Sequence, residues 1–426
     1  MLAILGILTI VVLLVLIMAK KASPVAALIL VPVSTALIGG MGFKTADFIT
    51  EGIKSIAPTG VMFIFAILFF GILTDAGTFR PIIKRLLKMA GNDPARVAVA
   101  TALLAMIVHL DGSGAVTFLV TIPAFLPMYD ALQMKRTTLA CIVALAAGTM
   151  NILPWGGPTV RAATALDIPV TELFNPLLIP VLIGLISVLA ISYLMGKKER
   201  KAENTNLNIQ TEEKKMSSLE KPKLFRINIF LILLAVGTLV SGLAPPHVVF
   251  MIAFVIAISI NYPNLKEQAE RVNAHAKAAI LMASILFAAG CFIGILKGSG
   301  MIDAMAVTAV GLIPEWAGKH LAVMTGVISM PASLLFDPDS FYFGILPVLS
   351  STATHFNVDA LEVGRAAIMG QMTTGFPVSP LTGSTFLLIG LTGIDLGDHQ
   401  RKTIPFAFLV TIIILITSLI MGTITF

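Results

Sequence analysis

The chain has 426 residues, of which 57% are hydrophobic and only 12% are charged. Soluble domains carry about 25% charged residues, so this composition excludes a soluble globule and predicts an all-α protein embedded in a lipid bilayer. The net charge of +6 does not indicate a nucleic-acid partner, because most of the 29 Lys and Arg residues fall in alternate loops between apolar runs, as membrane orientation requires.

Apolar runs long enough to cross a hydrocarbon core of about 30 Å recur along the chain. They lie at 2–19, 24–41, 58–74, 176–195, 225–243, 278–296 and 404–425. We expect about 10 transmembrane helices in all, in addition to two hairpins and two broken helices. The positive-inside rule then predicts a multi-pass protein of the cytoplasmic (inner) membrane, with both termini outside.

Residues 197–223 are charged and lack apolar periodicity, which predicts a flexible cytoplasmic linker. The linker separates two halves, 1–196 and 224–426, in which special residues recur 226 positions apart: Asp111 and Asp337, Pro154 and Pro380, Gly157 and Gly383, Thr159 and Thr385. An odd number of crossings in the first half reverses the orientation of the second half. The sequence therefore predicts two inverted repeats, an arrangement found in many secondary transporters.

Each half contains a helix that its own sequence interrupts. In 137–166 the segment NILPWGGP must break the helix near 151–158, because proline removes an amide donor and glycine frees the backbone. In 360–394 the segment GFPVSPLTG, which begins at 375, has the same effect. Non-helical backbone at membrane depth is tolerated only where protein buries it or a watery cavity touches it, so paired broken helices indicate a transport site.

Each half also has a polar tip between two apolar arms. The tip DGSG lies within 95–132, and the tip DPDS lies within 318–355. The arms are long enough either to cross the membrane or to re-enter, and charge counting does not separate these cases. The symmetry favours re-entrant hairpins whose tips meet the broken helices at the midplane, where glycine amides, hydroxyls and helix N-termini would bind an anion.

Four titratable side chains are candidates for metal or proton coupling: His109, Asp111, Asp337 and Asp339. The alternative is that the equivalent aspartates Asp111 and Asp337 cap helices, and that His109 is a hydrogen-bonded core residue. Arg161 could bind a substrate carboxylate or pair with an aspartate within the fold. The other candidate substrate-binding residues border the tips and breaks: Gly112, Ser113, Asn151, Gly157, Thr159, Ser340, Ser379, Thr382 and Ser384.

The segments LDGSG, MNILPWGGPTVRAATAL, DPDSFYFGILPVL and SPLTGSTFLLIGLTGIDLGDHQR carry a family resemblance. Outside the linker, nearly the whole chain resembles the citrate–metal:proton symporters (CitMHS family) of the ion transporter superfamily. The resemblance implies proton-driven uptake of citrate complexed with a divalent cation such as Mg²⁺ or Ca²⁺. It also implies a homodimer in which a transport domain with two hairpins and two broken helices moves like an elevator against a scaffold. We expect no prosthetic group and no enzymatic activity.

The first tip departs from the L-D-G-D-G pattern common in the family, because Ser113 occupies the second acidic position. A proton- or sodium-coupled carrier of another organic anion, such as gluconate or a dicarboxylate, remains an alternative. An intramembrane aspartyl hydrolase is disfavoured, since neither tip has the motif of such enzymes. A passive channel is disfavoured because charged groups at the site would bind an ion too strongly for rapid passage.

Overall fold

A computed structural model describes residues 1–19, 21–200 and 217–426, and every regular element in that part of the chain is helical. The helices of the first half are α1 Leu2–Met18, α2 Pro24–Ile38, α3 Lys44–Asp75, α4 Arg80–Ala90, α5 Pro94–Val108, α6 Gly114–Ala131, α7 Arg136–Met150, α8 Gly157–Leu166, α9 Val170–Phe174 and α10 Leu178–Lys198. Those of the second half are α11 Phe225–Val240, α12 Pro246–Asn261, α13 Leu265–Gly298, α14 Met301–Val310, α15 Glu315–Lys319, α16 Leu321–Ala332, α17 Leu346–Thr354, α18 Ala360–Ile368, α19 Gly383–Thr392 and α20 Leu396–Ile420. A π-helix, Ser340–Ile345, leads directly into α17.

Seven helical segments of the described chain are long and apolar enough to cross a membrane, and seven further apolar helices are shorter. This pattern and the composition identify a multi-pass membrane protein. α3 and α13 contain 32 and 34 residues, and both begin well before the predicted apolar runs 58–74 and 278–296. Their first turns carry charged side chains, which a search for apolar runs does not include.

The helices pack into two groups. The frame group contains α1–α3 and α11–α14, with α3 packed along α12 and α13. The site group contains α5–α10 and α15–α20, with α5 against α7 and α10, and α16 against α18 and α20. The two groups meet where α14 packs on α17 and where α8 packs on α3 and α13. Each group thus takes helices from both halves of the chain.

Glycines bring α3 and α13 into backbone contact. A Cβ atom added to Gly52 would lie 2.1 Å from the carbonyl oxygen of Gly290, and one added to Gly294 would lie 2.3 Å from that of Phe48. Farther along α3, a Cβ atom on Gly71 would lie 2.7 Å from the ring of His275. The absence of side chains at these glycines therefore allows the two long helices to run side by side in opposite directions.

Most of the predicted cytoplasmic loops meet at one end of the molecule, which we call the basic end. Arg200, just after α10, pairs with Asp93, just before α5, at 2.8 Å. This hydrogen-bonded guanidinium holds the pKa of the Asp93 carboxyl below its usual value. Arg136, at the start of α7, donates to the carbonyl of Thr392 at the end of α19, at 3.5 Å.

Residues 201–216, the centre of the predicted linker 197–223, lie outside the described residues. The flanks of that linker are folded at the basic end. α10 continues to Lys198, and the Lys221 amide donates to the carbonyl of Ala76 at 2.9 Å. The two flanks are therefore held by the ends of α10 and α3.

Other loops gather at the opposite end. Asp167, which follows α8, accepts a hydrogen bond from Ser55 and pairs with Lys297 near the end of α13 at 2.7 Å. Thr425, after α20, donates its amide to Glu362 near the start of α18 at 2.8 Å. α8 and α18 therefore have one end each on this side of the molecule.

The two interrupted helices run in opposite directions between these ends. α7 leaves the basic end and covers 15 residues, about 22 Å, before the chain breaks. α8 then covers 10 residues to the opposite end. α18 starts at the opposite end, and α19 finishes at the basic end. Both breaks consequently lie at an intermediate depth.

The second break is longer than the sequence predicts. α18 ends at Ile368, six residues before the expected end at residue 374. The reason is that the following backbone bonds to another segment instead of continuing the helix. The Met372 amide donates to the hydroxyl of Ser333 at 2.8 Å, and that hydroxyl donates to the carbonyl of Gly370 at 3.3 Å. Met372 also has a positive φ of 50°, which an α-helix does not allow.

Candidate functional site

The first hairpin tip lies against the first helix break. The indole Nε1 of Trp155 donates to the carbonyl of Leu110 at 2.8 Å. Gly112 has a φ of 72°, and a Cβ atom there would lie 3.6 Å from the Trp155 carbonyl oxygen. The left-handed backbone of Gly112 allows the chain to turn from α5 into α6 beneath this tryptophan.

The second tip lies against the second break in a corresponding way. The Tyr342 hydroxyl donates to the carbonyl of Gln371 at 2.6 Å, and the Ser333 hydroxyl lies 3.0 Å from the Gln371 side-chain oxygen. Ser379 in turn donates to the carbonyl of Ser333 at 2.5 Å. The polar groups released by the break are thus bonded to the tip that faces it.

The two breaks also contact each other. Asn151 donates its side-chain amide to the carbonyl of Met372 at 2.8 Å. A Cβ atom on Gly148, at the end of α7, would lie 2.7 Å from the carbonyl oxygen of Thr373. Both tips and both breaks therefore form one connected region of the site group.

A cavity of about 560 Å³ lies between this region and the frame group. Its frame wall is largely apolar and is lined by Phe63, Ala66, Ile67, Gly71, Thr74, His275, Ala278, Leu281 and Met282. Its polar wall includes Asp111, Gly112, Ser113, Asn151, Trp155, Gly157, Arg161, Thr382 and Ser384. The N-termini of α6, α8 and α19 lie on this polar wall, so the positive ends of three helices meet at the cavity.

Arg161 links the first broken helix to the second tip. Its Nε donates to the Asp339 carboxylate at 2.7 Å, and the two side chains are only 8% and 7% exposed. Arg161 also lines the cavity, next to Pro338 of the tip. The sequence leaves open whether Arg161 binds a ligand or an internal aspartate, and in this structure it pairs with the aspartate while remaining on the cavity wall.

The two equivalent aspartates differ in their surroundings. The Asp111 carboxylate accepts one hydrogen bond, from the Ser113 amide at 2.7 Å, and Asp111 lines the cavity. The Asp337 carboxylate accepts three, from the amides of Asp339 and Ser340 at 3.0 Å each and from the Ser340 hydroxyl at 2.5 Å. Both carboxylates therefore accept hydrogen bonds from the backbone at the start of the following helix, and Asp111 accepts fewer hydrogen bonds than Asp337.

The remaining predicted site residues hold the tips and breaks together. His109 is fully buried and shares a 2.9 Å hydrogen bond with Thr117. Thr159 donates to the carbonyl of Ile152 at 2.8 Å and so bridges the first break. Ser340 and Ser379 donate to their neighbours as described above. These four side chains support the cavity and are not among the residues that line it.

Sequence reasoning missed the frame wall. His275 lines the cavity from α13, and its Nε2 lies 2.9 Å from the carboxylate of Asp75, which also pairs with Arg271 at 3.2 Å. Thr74, on α3, lines the cavity nearby. The one signal available was the spacing of Arg271 and His275, which places both on one face of a helix.

The described residues contain no group of three or more His, Cys, Asp or Glu side chains arranged to hold a metal ion. Asp339, predicted to bind a metal beside Asp337, is occupied by Arg161. Contact between a metal ion and Asp339 would require this ion pair to open.

A profile of citrate transporters matches residues 13–370. The chain belongs to the citrate transporter family. A citrate transporter of Bacillus subtilis (strain 168) is 43% identical over 429 residues, which cover the whole of both chains. A Mg(2+)/citrate complex secondary transporter of the same organism is 40% identical over 435 residues, which cover all of this chain and 99% of the relative. The matched family and both of these relatives are described as transporters.

Two solved transporters share the fold of this citrate transporter family member. The Alcanivorax borkumensis YdaH transporter superposes with a TM-score of 0.62 and 14% identity, covering 88% of this chain and 86% of its own. Neisseria gonorrhoeae MtrF superposes with a TM-score of 0.60 and 14% identity, covering 89% and 85%. At this identity the likeness concerns the fold and not the substrate.

Proposed function

We propose that the protein is a secondary active symporter that takes up citrate complexed with Mg²⁺ or Ca²⁺, driven by protons. The observation that carries the proposal is the composition of the polar cavity wall. Three helix N-termini provide positive potential, and Ser113, Thr382 and Ser384 provide hydroxyl donors. The Arg161 guanidinium lies on the same wall, where it is paired with Asp339. A compact polycarboxylate matches such a wall, because each carboxylate accepts several hydrogen bonds and is stabilised by helix N-termini.

The metal component of the proposal has two supports. A relative with 40% identity is a transporter of the Mg²⁺/citrate complex. In addition, the described residues have no complete cage for a metal ion, so a cation here would keep the oxygen ligands of citrate. Hard divalent cations bind such carboxylate oxygens, which makes the complex a chemically sensible cargo.

Asp111 is our candidate for the coupling proton. It lines the cavity, lies next to the positive end of α6, and accepts a single hydrogen bond. An ionisable group at membrane depth requires a partner, a cation or a proton, and a carboxylate open to the cavity can exchange that partner with each transport cycle.

We further propose that the segments 95–132 and 318–355 are re-entrant hairpins of two inverted repeats. The proposal is supported by the two ends of the first hairpin, where Asp93 and Asp130 both pair with arginines of the basic end. It is also supported by the contact of each tip with a break. The site group would then move as an elevator along the frame group, and we expect the frame to form the contact of a homodimer. These assignments follow from the symmetry and the family resemblance.

The basic end is proposed to face the cytoplasm, with both termini outside. A single cysteine at Ser217 should resist a membrane-impermeant thiol reagent in intact cells and react after permeabilisation. Lys319→Cys, at the opposite end, is the matched control and should react in intact cells. The native Cys141 and Cys291 are both buried and give a low background. Labelling at position 217 in intact cells would reverse the orientation.

Citrate counterflow tests the function directly. Proteoliposomes loaded with citrate and Mg²⁺ should accumulate labelled citrate, and a panel of unlabelled anions outside should compete in proportion to their affinity. Removing the divalent cation with a chelator should abolish the exchange. Competition by gluconate or a dicarboxylate, with citrate inactive, would favour a carrier of those anions. Uptake that persists without divalent cations would remove the metal from the proposal.

A further inference from the structure

We propose that the buried Arg161–Asp339 ion pair makes transport depend on an anion and a cation arriving together. The inference rests on the proposed function, because it concerns how the same cavity recognises a metal–citrate complex. In this mechanism the cargo replaces the internal pair. Arg161 transfers from Asp339 to a citrate carboxylate, and the metal ion of the complex takes the place of Arg161 beside Asp339.

The first support is the distribution of charge between the halves. Ser113 precedes α6, and Asp339, 226 positions later, precedes the π-helix that leads into α17. Arg161 in α8 has Leu387 as its counterpart in α19 at the same separation. Each half thus contributes one charge where the other half is neutral. The cation of the first half and the anion of the second half meet because the first broken helix contacts the second tip.

The second support is the position of the pair. Arg161 lines the cavity, and so does Pro338, which adjoins Asp339. The Nη1 atom of Arg161 lies where a side chain on Gly157 would be, 2.9 Å from the ideal Cβ position. The guanidinium is therefore held across the N-terminus of α8, where an arriving carboxylate would meet the amide groups of the helix and the arginine together.

The third support is the cost of leaving either charge alone. Both side chains are more than nine-tenths buried. Removing one partner of such a pair weakens the state that contains the uncompensated charge on the order of 100-fold or more. Metal-free citrate could attract Arg161 but would leave Asp339 unpaired, and a free cation could attract Asp339 but would leave Arg161 unpaired. A metal–citrate complex supplies a partner to each.

Arg161→Gln and Asp339→Asn separate this exchange from a purely structural ion pair. The purified full-length protein is titrated with citrate plus chelator, with citrate plus Mg²⁺, and with Mg²⁺ alone. Binding is followed by fluorescence of Trp155, which lines the cavity, in a Trp316→Phe background that removes the exposed second tryptophan. Asp130→Asn breaks the exposed Arg136–Asp130 pair at the basic end and serves as the matched control.

The two single variants should change the binding of different ligands. In Asp339→Asn the guanidinium is free, so the preference for the complex over metal-free citrate should fall about tenfold or more. In Arg161→Gln the carboxylate is free, so Mg²⁺ alone should bind at least about tenfold more tightly than it binds the unaltered protein. Asp130→Asn should leave all three affinities unchanged.

The double variant Arg161→Gln/Asp339→Asn contains no buried charge at this position and carries the test if a single variant does not fold. It should lose most of the preference for the complex without gaining affinity for Mg²⁺ alone. If the single variants or the double variant bind every ligand equally more weakly and keep the preference for the complex over metal-free citrate, the ion pair only supports the fold. Absence of citrate counterflow in the unaltered protein would instead remove the proposed function itself.

Discussion

The two hairpin tips have the same backbone plan but differ in how firmly their carboxylates are held. In both tips an aspartate accepts the amide of the second residue after it, Asp111 from Ser113 and Asp337 from Asp339. Asp337 accepts two further hydrogen bonds from Ser340, whereas Asp111 accepts none of this kind and lines the cavity. This difference is the reason that we propose a structural role for Asp337 and a coupling role for Asp111.

The largest effect should come from replacing the less occupied aspartate. Asp111→Asn cannot release a proton, so uptake driven by a pH gradient should fall to the background of empty vesicles. Citrate exchange at equal pH on both sides should persist, because exchange requires no net proton transfer. Wild-type pH-driven uptake by Asp111→Asn would assign Asp111 to helix capping alone.

The second test measures how much Asp337 contributes to the free energy of unfolding. Asp337→Ala removes the acceptor of three hydrogen bonds and should lower the free energy of unfolding by about 2 kcal/mol, compared with about 1 kcal/mol for Asp111→Ala. Thermal unfolding of the two purified variants in the same detergent compares them directly. An equal or reversed order would mean that the structural difference between the tips has no energetic consequence.

Gly112 tests the backbone of the first tip. Its φ of 72° lies in the left-handed region, so Gly112→Ala should cost about 1 kcal/mol although the site has space for the added methyl group. Gly383 at the N-terminus of α19 is the matched control, because a Cβ atom there meets nothing within 4 Å and its φ is not positive. Gly383→Ala should leave the melting temperature unchanged. A similar loss in both variants would argue against a conformational cause.

The smallest effect should come from an ion pair far from both tips. Arg80 donates to the Glu220 carboxylate at the basic end, and this hydrogen bond lowers the pKa of Glu220 below its usual 4.5. A lowered folded-state pKa gives stability that is present above the unfolded value and is lost as the pH falls. Glu220→Gln should therefore melt slightly earlier than wild type at pH 7, and the difference should shrink as the pH falls below 4.5 and through the lower pKa of the folded state. A difference that persists in acid would have another origin.

The features that the sequence predicted well are those set by glycine and proline. α8 and α19 begin at Gly157 and Gly383, near the ends of the predicted break segments, because local backbone chemistry determines where the helix restarts. The family assignment from the tip and break motifs is likewise confirmed by the citrate transporter profile.

Long-range partners could not be predicted in the same way. Arg161 had several aspartates available in the sequence, and only the contact between the first broken helix and the second tip selects Asp339. Thr74 and His275 lie on long continuous helices, away from the tips and breaks. The only local signal was the spacing of Arg271 and His275, which does not indicate a cavity. The inverted repeats and the re-entry of the hairpins stay predictions, to be tested by the labelling and transport experiments above.

The glycine contact between α3 and α13 has a mechanical consequence. Helices of 32 and 34 residues that touch through their backbones form a strut about 50 Å long, in which neither member can shift sideways without a steric clash. One wall of the cavity is therefore stiff. We expect any adjustment to the size of the cargo to occur at the opposite wall, which is built from short half-helices and turns. We therefore expect the wall formed by α3 and α13 to keep its shape when different cargo molecules bind.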